Sequence, residues 1–323
     1  MTMRSLLLQL AGLLLAGFAV SGCYFNVEVP TPGEGPLVER VLGGSGTAKL
    51  LILELNGIFS PDLPRRLSGG SGVSIAEIRA QLAKAQKDQQ IRAVVLHINS
   101  PGGEVTTADV AYNTLRNFRN ATGRPLVASI GAIGASGGYY AALAADRIYA
   151  NPTAVVGGIG VVMMRFNARG LLKKVGVSAE ILASNPLKGE LSSPVAEPSG
   201  AGTKVLQAIL DDHYSRFVDL VRDRRRLSKE QALEISDGRV LSAPDAKEHD
   251  LIDEVGYLED AIAEAMVRAG LQQATYVAYH RKGRFSTPLL AQAGVTTQVN
   301  LLHVDARGWG QWLTPGFHYL WVP

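Results

Sequence analysis

Ala93-Val94-Val95-Leu96-His97-Ile98-Asn99-Ser100-Pro101-Gly102-Gly103 decides how the rest of the chain reads. The first six residues are apolar except for His97, and β-branched residues dominate them. A short apolar run bounded by turn residues is the pattern of a strand buried on both faces. The run ends at Ser-Pro-Gly-Gly, and helical periodicity follows from about Thr107 to Phe118. The same strand, glycine turn and helix recur downstream: Pro125 to Ile130, then Gly134-Ala135-Ser136-Gly137-Gly138-Tyr139-Tyr140, then small residues to about Ala145. Upstream, Lys49 to Leu55 reads as a buried strand. Ser74-Ile75-Ala76-Glu77 is a capping box opening a helix with Ile75, Ile78, Leu82 and Ala85 on one face. Further strands are expected at Arg147–Ala150, Ile159–Met164 and Glu180–Leu182. Further helices are expected at Ala168–Val175, Thr203–Arg225, Ser228–Ile235 and Leu258–Ala269. Such alternation is the signature of an α/β fold with mostly parallel strands, here with a helical C-terminal part. No internal repeat is visible.

The 323 residues are 46% hydrophobic and 19% charged, enough apolar surface for a sizeable core. Net charge is +3, and the one dense basic run, Arg222-Asp223-Arg224-Arg225-Arg226, suits a solvated helix end, so no nucleic-acid partner is expected. The single cysteine, Cys23, excludes an internal disulfide and a cysteine-based zinc site. Met1 to Ser5 carries Arg4, Leu6 to Ala19 is apolar except for Gln9, and Val20-Ser21-Gly22-Cys23 follows. That is the layout of a secretory leader. Its end resembles the lipobox of bacterial lipoproteins, which implies lipidation of Cys23 and removal of residues 1–22. Tyr24 stands where an aspartate would favour retention in the inner membrane. Residues 23–45 read as a Pro- and Gly-rich tether. From Gln272 the periodicity decays, and Trp309, Trp312 and Trp321 all fall in this tail. A docking or membrane-interface segment and a segment packed on its own domain fit equally well.

The chemistry concentrates in few residues. Ser136 sits after a strand and a glycine-bearing turn, at the start of a helix, where unpaired N–H groups favour a developing oxyanion. Gly134-x-Ser136-x-Gly138 also matches the nucleophile elbow of α/β-hydrolases, which would need a downstream histidine. His213, His249, His280, His303 and His318 are available, but none stands in a recognisable loop signature. Gly102 and Gly103 can offer backbone N–H groups which, with that of Gly137, would complete an oxyanion hole. Gly157-Gly158-Ile159-Gly160 lacks the frame of a phosphate loop. No metal, nucleotide or other cofactor motif is evident.

The Ser-Pro-Gly-Gly turn, the Ala-Ser-Gly-Gly-Tyr-Tyr turn and Asn185-Pro186-Leu187-Lys188-Gly189-Glu190 together resemble the signal peptide peptidase SppA family, serine peptidase family S49, built on the ClpP/crotonase-type fold. The resemblance continues through Ala145-Asp146-Arg147-Ile148-Tyr149-Ala150-Asn151-Pro152, Asp237-Gly238-Arg239-Val240 and Leu251-Ile252-Asp253-Glu254-Val255-Gly256. It implies a peptidase domain over 46–271, with 272–323 as the tail. It also implies Ser136 as nucleophile, Lys188 as general base, backbone N–H groups of Gly102, Gly103 and Gly137 as the oxyanion hole, and no cofactor. An ordinary lysine, with a pKa of about 10.4, is protonated at neutral pH. A lysine serves as a base only when burial or a nearby cation lowers that to about 7–8. The expected setting for Lys188 is a loop between Pro186, Leu187 and Leu191. The family often carries Gly-x-Tyr-Lys there, whereas this chain has Asn185-Pro186-Leu187-Lys188. The implied partners are peptides, the membrane through lipidated Cys23, and further copies of the chain. The implied location is the cell envelope, on the outer side of the cytoplasmic membrane or in the outer membrane facing the periplasm. A histidine-dependent esterase and a non-catalytic envelope scaffold are the alternatives. A crotonase acting on acyl-CoA fits an exported chain poorly.

Overall fold

A computed structural model describes residues 35–61, 72–196, 199–281 and 317–321. In chain order, β1 (Leu37–Gly44), β2 (Lys49–Asn56), β3 (Ile58–Phe59) and β4 (Gly72–Val73) precede helix α1 (Ile75–Lys87). Then come β5 (Ile91–Ser100), β6 (Gly102–Glu104), α2 (Val105–Thr122), β7 (Leu126–Ala135) and α3 (Gly137–Ala142). They are followed by β8 (Arg147–Ala150), β9 (Val155–Gly157), β10 (Val162–Met163), α4 (Arg169–Lys174), α5 (Pro186–Ser192) and α6 (Gly200–Arg225). The last are α7 (Lys229–Glu234), β11 (Val240–Ser242), α8 (Ala243–Glu248), β12 (Glu254–Val255), α9 (Leu258–Arg268), β13 (Thr275–Arg281) and β14 (Phe317–Leu320).

The main sheet runs β1-β13-β2-β5-β7-β8-β12, with β9 continuing beside the end of β7 and β11 beside β9. From β13 to β12 every neighbouring pair is parallel. Apolar side chains alternate between its faces. Leu51, Leu53, Leu55, Val94, Leu96 and Ile98 face the core beneath α1, α2 and α3. Leu50, Ile52, Ala93 and Val95 face Ala261, Ile262 and Ala265 of α9. Both faces are thus covered, which is why these strands read as continuous apolar runs. A smaller sheet, β10-β14-β6-β3-β4, stands at the carboxyl ends of the main strands.

The strand–turn–helix units read from sequence are all present, and their caps explain their starts. Ser74 accepts the N–H of Glu77 at 3.4 Å, while the Glu77 carboxylate reaches across to Arg281 at 2.8 Å. Ser228 and Gln231 form the reciprocal capping box of α7. Three expectations change. Glu180–Leu182 forms no strand: Leu182 is 89% exposed and no strand edge takes up its backbone. Within Ile159–Met164 only Val162 and Met163 are extended, because the glycines before them turn the chain out of the main sheet. The tether expected over 23–45 ends early, since Leu37–Gly44 pairs antiparallel with β13. Ordered sheet therefore extends beyond 46–271 on both sides. Cys23, the leader, His303, Trp309 and Trp312 lie outside the described residues, whereas Trp321 packs on its own domain and donates its N–H to Pro101 at 2.9 Å. Among the described residues no helix is long and apolar enough to cross a membrane.

Leu96 is fully buried in the central strand β5. Leu96→Ala is expected to cost about 2–5 kcal/mol, read as a lower denaturation midpoint in urea; a loss well under 1 kcal/mol would show that the helical layer closes over the gap.

Candidate active site

Two glycine turns at the carboxyl ends of β5 and β7 build the site. Strand β7 runs to Ala135, and helix α3 starts at Gly137; between them Ser136 takes φ 52° and ψ −116°. A positive φ on a residue with a Cβ is strained by roughly 1–3 kcal/mol and needs support from its surroundings. That support is visible. The Ser136 N–H donates to Gly157 at 2.7 Å, and its carbonyl accepts the Tyr140 N–H at 2.8 Å. The residue is 1% exposed, and its hydroxyl is not spent on capping the helix. Strain at a buried serine whose hydroxyl does not cap its helix is the local geometry that a presented nucleophile requires.

The second turn comes against the first. The Gly102 N–H donates to Ser100 Oγ at 3.1 Å, and Gly102 has φ 105°. A Cβ there would sit 2.7 Å from the Gly137 nitrogen and would run into the Tyr319 carbonyl. Only glycine allows this approach. Gly137 is the first residue of α3, so its N–H has no acceptor within the helix. Gly103 pairs with Phe59 on one side and Tyr319 on the other. Gly102 and Gly137 are thus brought together beside Ser136, with the Gly102 N–H turned to Ser100 and Gly103 engaged in the small sheet.

Lys188 is placed differently from expectation. It lies in helix α5, not a loop, because Asn185 caps the helix by accepting the Leu187 N–H at 2.9 Å and Pro186 supplies the fixed φ of the first turn. Gly189 and Glu190 take the buried side of that helix and Lys188 is exposed in the single chain. Nearby, Val162, Phe166, Leu171, Val175, Val177 and Leu182 are all exposed, and α4 buries no residue.

Glu190 escaped the sequence reading. Its carboxylate accepts the Ser199 N–H at 2.7 Å and the Ser199 hydroxyl, joining α5 to the start of α6. Arg165 reaches the Glu190 carbonyl at 3.3 Å. The Ser199 hydroxyl, then its N–H, hold the Glu190 carboxyl below its ordinary value, against the opposing effect of burial. A second cluster joins α3 to α2 and α6: Tyr140 donates to Asp109 at 2.7 Å, and Arg216 donates to the same oxygen at 2.6 Å. Burial and this carboxylate push the Tyr140 phenol well up. The Tyr-Tyr pair after Ser-Gly-Gly was visible in the sequence; its partners, distant in the chain, were not.

The histidines stand mostly apart from Ser136. His97 lies buried in β5 with Nε2 3.1 Å from Asn99. His213 turns its ring to Phe317, His249 ends α8, and His280 is on β13, three strands from β7. His318 lies on β14, opposite Glu104. Among the described residues no group of three or more His, Cys, Asp or Glu could hold a metal ion.

A buried serine held at positive φ in a strand-to-helix turn, beside glycine backbone on a largely parallel sheet, belongs to an α/β fold of the ClpP/crotonase type. The Clp protease family matches residues 69–156, and Peptidase family S49 matches residues 119–272. A putative signal peptide peptidase SppA of Enterococcus faecium is 31% identical over 249 residues, 76% of this chain and 72% of that one. A putative protease of Synechocystis is 37% identical, over 62% of this chain and 71% of that one. Protease 4 of Salmonella typhi is 34% identical over 77% of this chain, which spans only 38% of that longer protein. The chain belongs to the SppA family of serine peptidases, family S49.

Two outcomes are expected. Ser136→Gly removes the strained Cβ, so it should unfold about 1 kcal/mol less readily than Ser136→Ala in thermal melts; equal stability would show that φ relaxes in the free protein. The Glu190 carboxyl has a lowered pKa in the folded state, so its contribution is complete above its ordinary value of 4.5 and fades as pH falls below it. The melting difference between wild type and Glu190→Gln should therefore be largest near neutral pH and shrink on acidification.

Proposed function

We propose that this chain is a lipid-anchored envelope peptidase that works through a Ser–Lys dyad. The observation that carries the reading is Ser136 itself: buried, held at positive φ and free of capping duty, with the Gly137 N–H beside it. Ser136 Oγ attacks the peptide carbonyl while Lys188 takes its proton. The N–H groups of Gly137 and of the Gly102–Gly103 turn stabilise the oxyanion; the Gly102 N–H leaves Ser100 to do so. The lysine returns the proton to the leaving amine, and water then releases the acyl group. No cofactor enters these steps.

A lysine acts as a base only where its charged form is poorly solvated, and Lys188 is exposed in the single chain. The apolar side chains of segment 162–182 offer the surface on which a second copy would bury that lysine. We therefore place the working site between subunits of a homo-oligomer, each lending Lys188 to a neighbour's Ser136. The substrates are peptides that reach the envelope, signal-peptide remnants among them, and Cys23 carries the lipid that holds the enzyme at the membrane.

Ser136→Ala and Lys188→Ala should each abolish hydrolysis of a fluorogenic peptide. Mixing the two inactive proteins under conditions that exchange subunits should restore activity, because some interfaces then hold an intact serine and an intact lysine. A mixture that stays inactive would assign the lysine to its own chain. Full activity of either single variant would discard the dyad.

A further inference from the structure

The ladder between the two site strands is interrupted just below the glycine turns. Ile98 pairs with Ile130 and Ser100 with Gly134, so a step of two residues on β5 matches a step of four on β7. Strand β7 therefore bulges between Ile130 and Gly134, on its way to Ser136. A side chain closes the gap where the backbone cannot. Asn99 Oδ1 accepts the Ala132 N–H at 2.5 Å. The amide lies against Gly131, where a Cβ would stand 2.6 Å from Oδ1 and 2.7 Å from Nδ2. The Asn99 carbonyl accepts the Gly57 N–H at 2.9 Å, and the next residue, Ser100, holds the Gly102 N–H. One residue thus ties the path to the nucleophile to the start of the oxyanion turn.

His97 fixes the orientation of that amide. Asn99 turns Oδ1 to a backbone donor, so the group 3.1 Å from His97 Nε2 is its Nδ2, which donates. Nε2 must then accept, and the hydrogen-bond network assigns a neutral imidazole with its proton on Nδ1. His97 is 6% exposed, and its Nδ1 has no partner among the described residues. Burial holds the ring below its ordinary value of 6.5. Glu54 of β2 stands opposite His97 on one side and Ser129 of β7 on the other. The Glu54 carboxyl is raised by burial and accepts Asn56 Nδ2 at 3.0 Å. Farther along the sheet stand Tyr149 of β8 and the charges that act on it, Arg147, Glu254, Asp260 and Glu264.

We propose that Asn99 is a positioning residue of the peptidase site: its amide, aimed by neutral His97, replaces the missing ladder bond and sets the distance between the Ser136 turn and the Gly102–Gly103 turn. This rests on the peptidase reading above and adds a pin that the reacting atoms never touch. Protonation of His97 makes Nε2 a donor facing a donor. The amide must then swing Oδ1 to the ring, which leaves Nδ2 against the Ala132 N–H and breaks the pin. The pin is present above the ring's pKa and is lost as pH falls through it. A misplaced oxyanion donor is felt in the transition state far more than in substrate binding, so the loss appears in kcat.

At about pH 8, Asn99→Ala in the full chain should lower kcat for a fluorogenic peptide about tenfold with KM unchanged, and a kcat within about twofold of wild type overturns the proposal. Imidazole nitrogen NMR follows the titration of His97, with the His97→Gln spectrum assigning its signal. At a pH where the ring is mostly charged, the gap between wild type and Asn99→Ala should close. Taking the ratio of the two cancels the activity that a lysine base loses in acid. In a His97→Gln background, whose side-chain carbonyl accepts without titrating, the gap should stay open at the same pH. A gap that ignores the charge on His97 would make Asn99 ordinary packing and overturn the proposal. Should Asn99→Ala fail to fold, Asn99→Asp decides. Its second oxygen calls for a proton on Nε2, so the Nδ1–H signal should give way to a protonated Nε2 and the titration midpoint should rise; an unchanged tautomer overturns the proposal. If none of these proteins hydrolyses peptides, the peptidase reading fails on its own. The wild-type tautomer then judges the pin: Nδ1–H supports it and Nε2–H rejects it.

Discussion

The catalytic end of this protein depends on one close approach of backbone to backbone, Gly102 against Gly137. A side chain on Gly102 would strike the Tyr319 carbonyl and the Gly137 nitrogen, and one on Gly137 would press on Gly102 and the same carbonyl at 3.1 Å. The approach brings the ends of β5 and β7 into register as a single site, although the main-sheet pairing of these strands is already disturbed between Ile98 and Ser100. It places the start of α3 beside the small sheet, and with it the strained Ser136. The sheet beneath is a generic solution to burying two apolar faces. The two glycine turns are what make its upper edge chemically specific.

Much of this was legible in the chain because it depends on local chemistry. The run Ala93–Ile98 ending at Ser-Pro-Gly-Gly, and the run before Gly134–Tyr140, state their strands, their turns and the serine at the second turn without reference to anything distant. Ser74 and Ser228 announce helix starts in the same way. The elements that sequence misplaced are those whose structure is conferred by a partner far away. Leu37–Gly44 has mixed burial and becomes a strand because β13 lies beside it. Phe317–Leu320 is extended because β6 and β10 flank it. Glu190 gave no signal because its meaning comes from Ser199, which itself reads as an ordinary cap.

The family assignment and the geometry support each other at different strengths across the site. Ser136 is specified by its own turn. Lys188 is specified by the resemblance and stands on a short helix whose buried face belongs to Glu190. That division suits the proposed assembly, in which Ser136 is set within one chain and the exposed Lys188 is covered by a neighbouring copy. Chemistry would then begin only once copies have met, which keeps an unassembled peptidase harmless.

Helix α6 has 26 residues, so it measures about 39 Å. Glu190 grips its first turn from the lysine-bearing helix, and beyond its middle Arg216 grips Asp109, which also holds Tyr140 on the nucleophile's helix. The helix is thus a strut pinned at two points by charged groups. Any shift of α5 relative to α3 must stretch one pin or tilt the whole rod. The spacing between α5, which carries Lys188, and α3, which starts beside Ser136, is set by the stretch of one helix between its two pins, in the way a tie-bar sets the gauge of two rails.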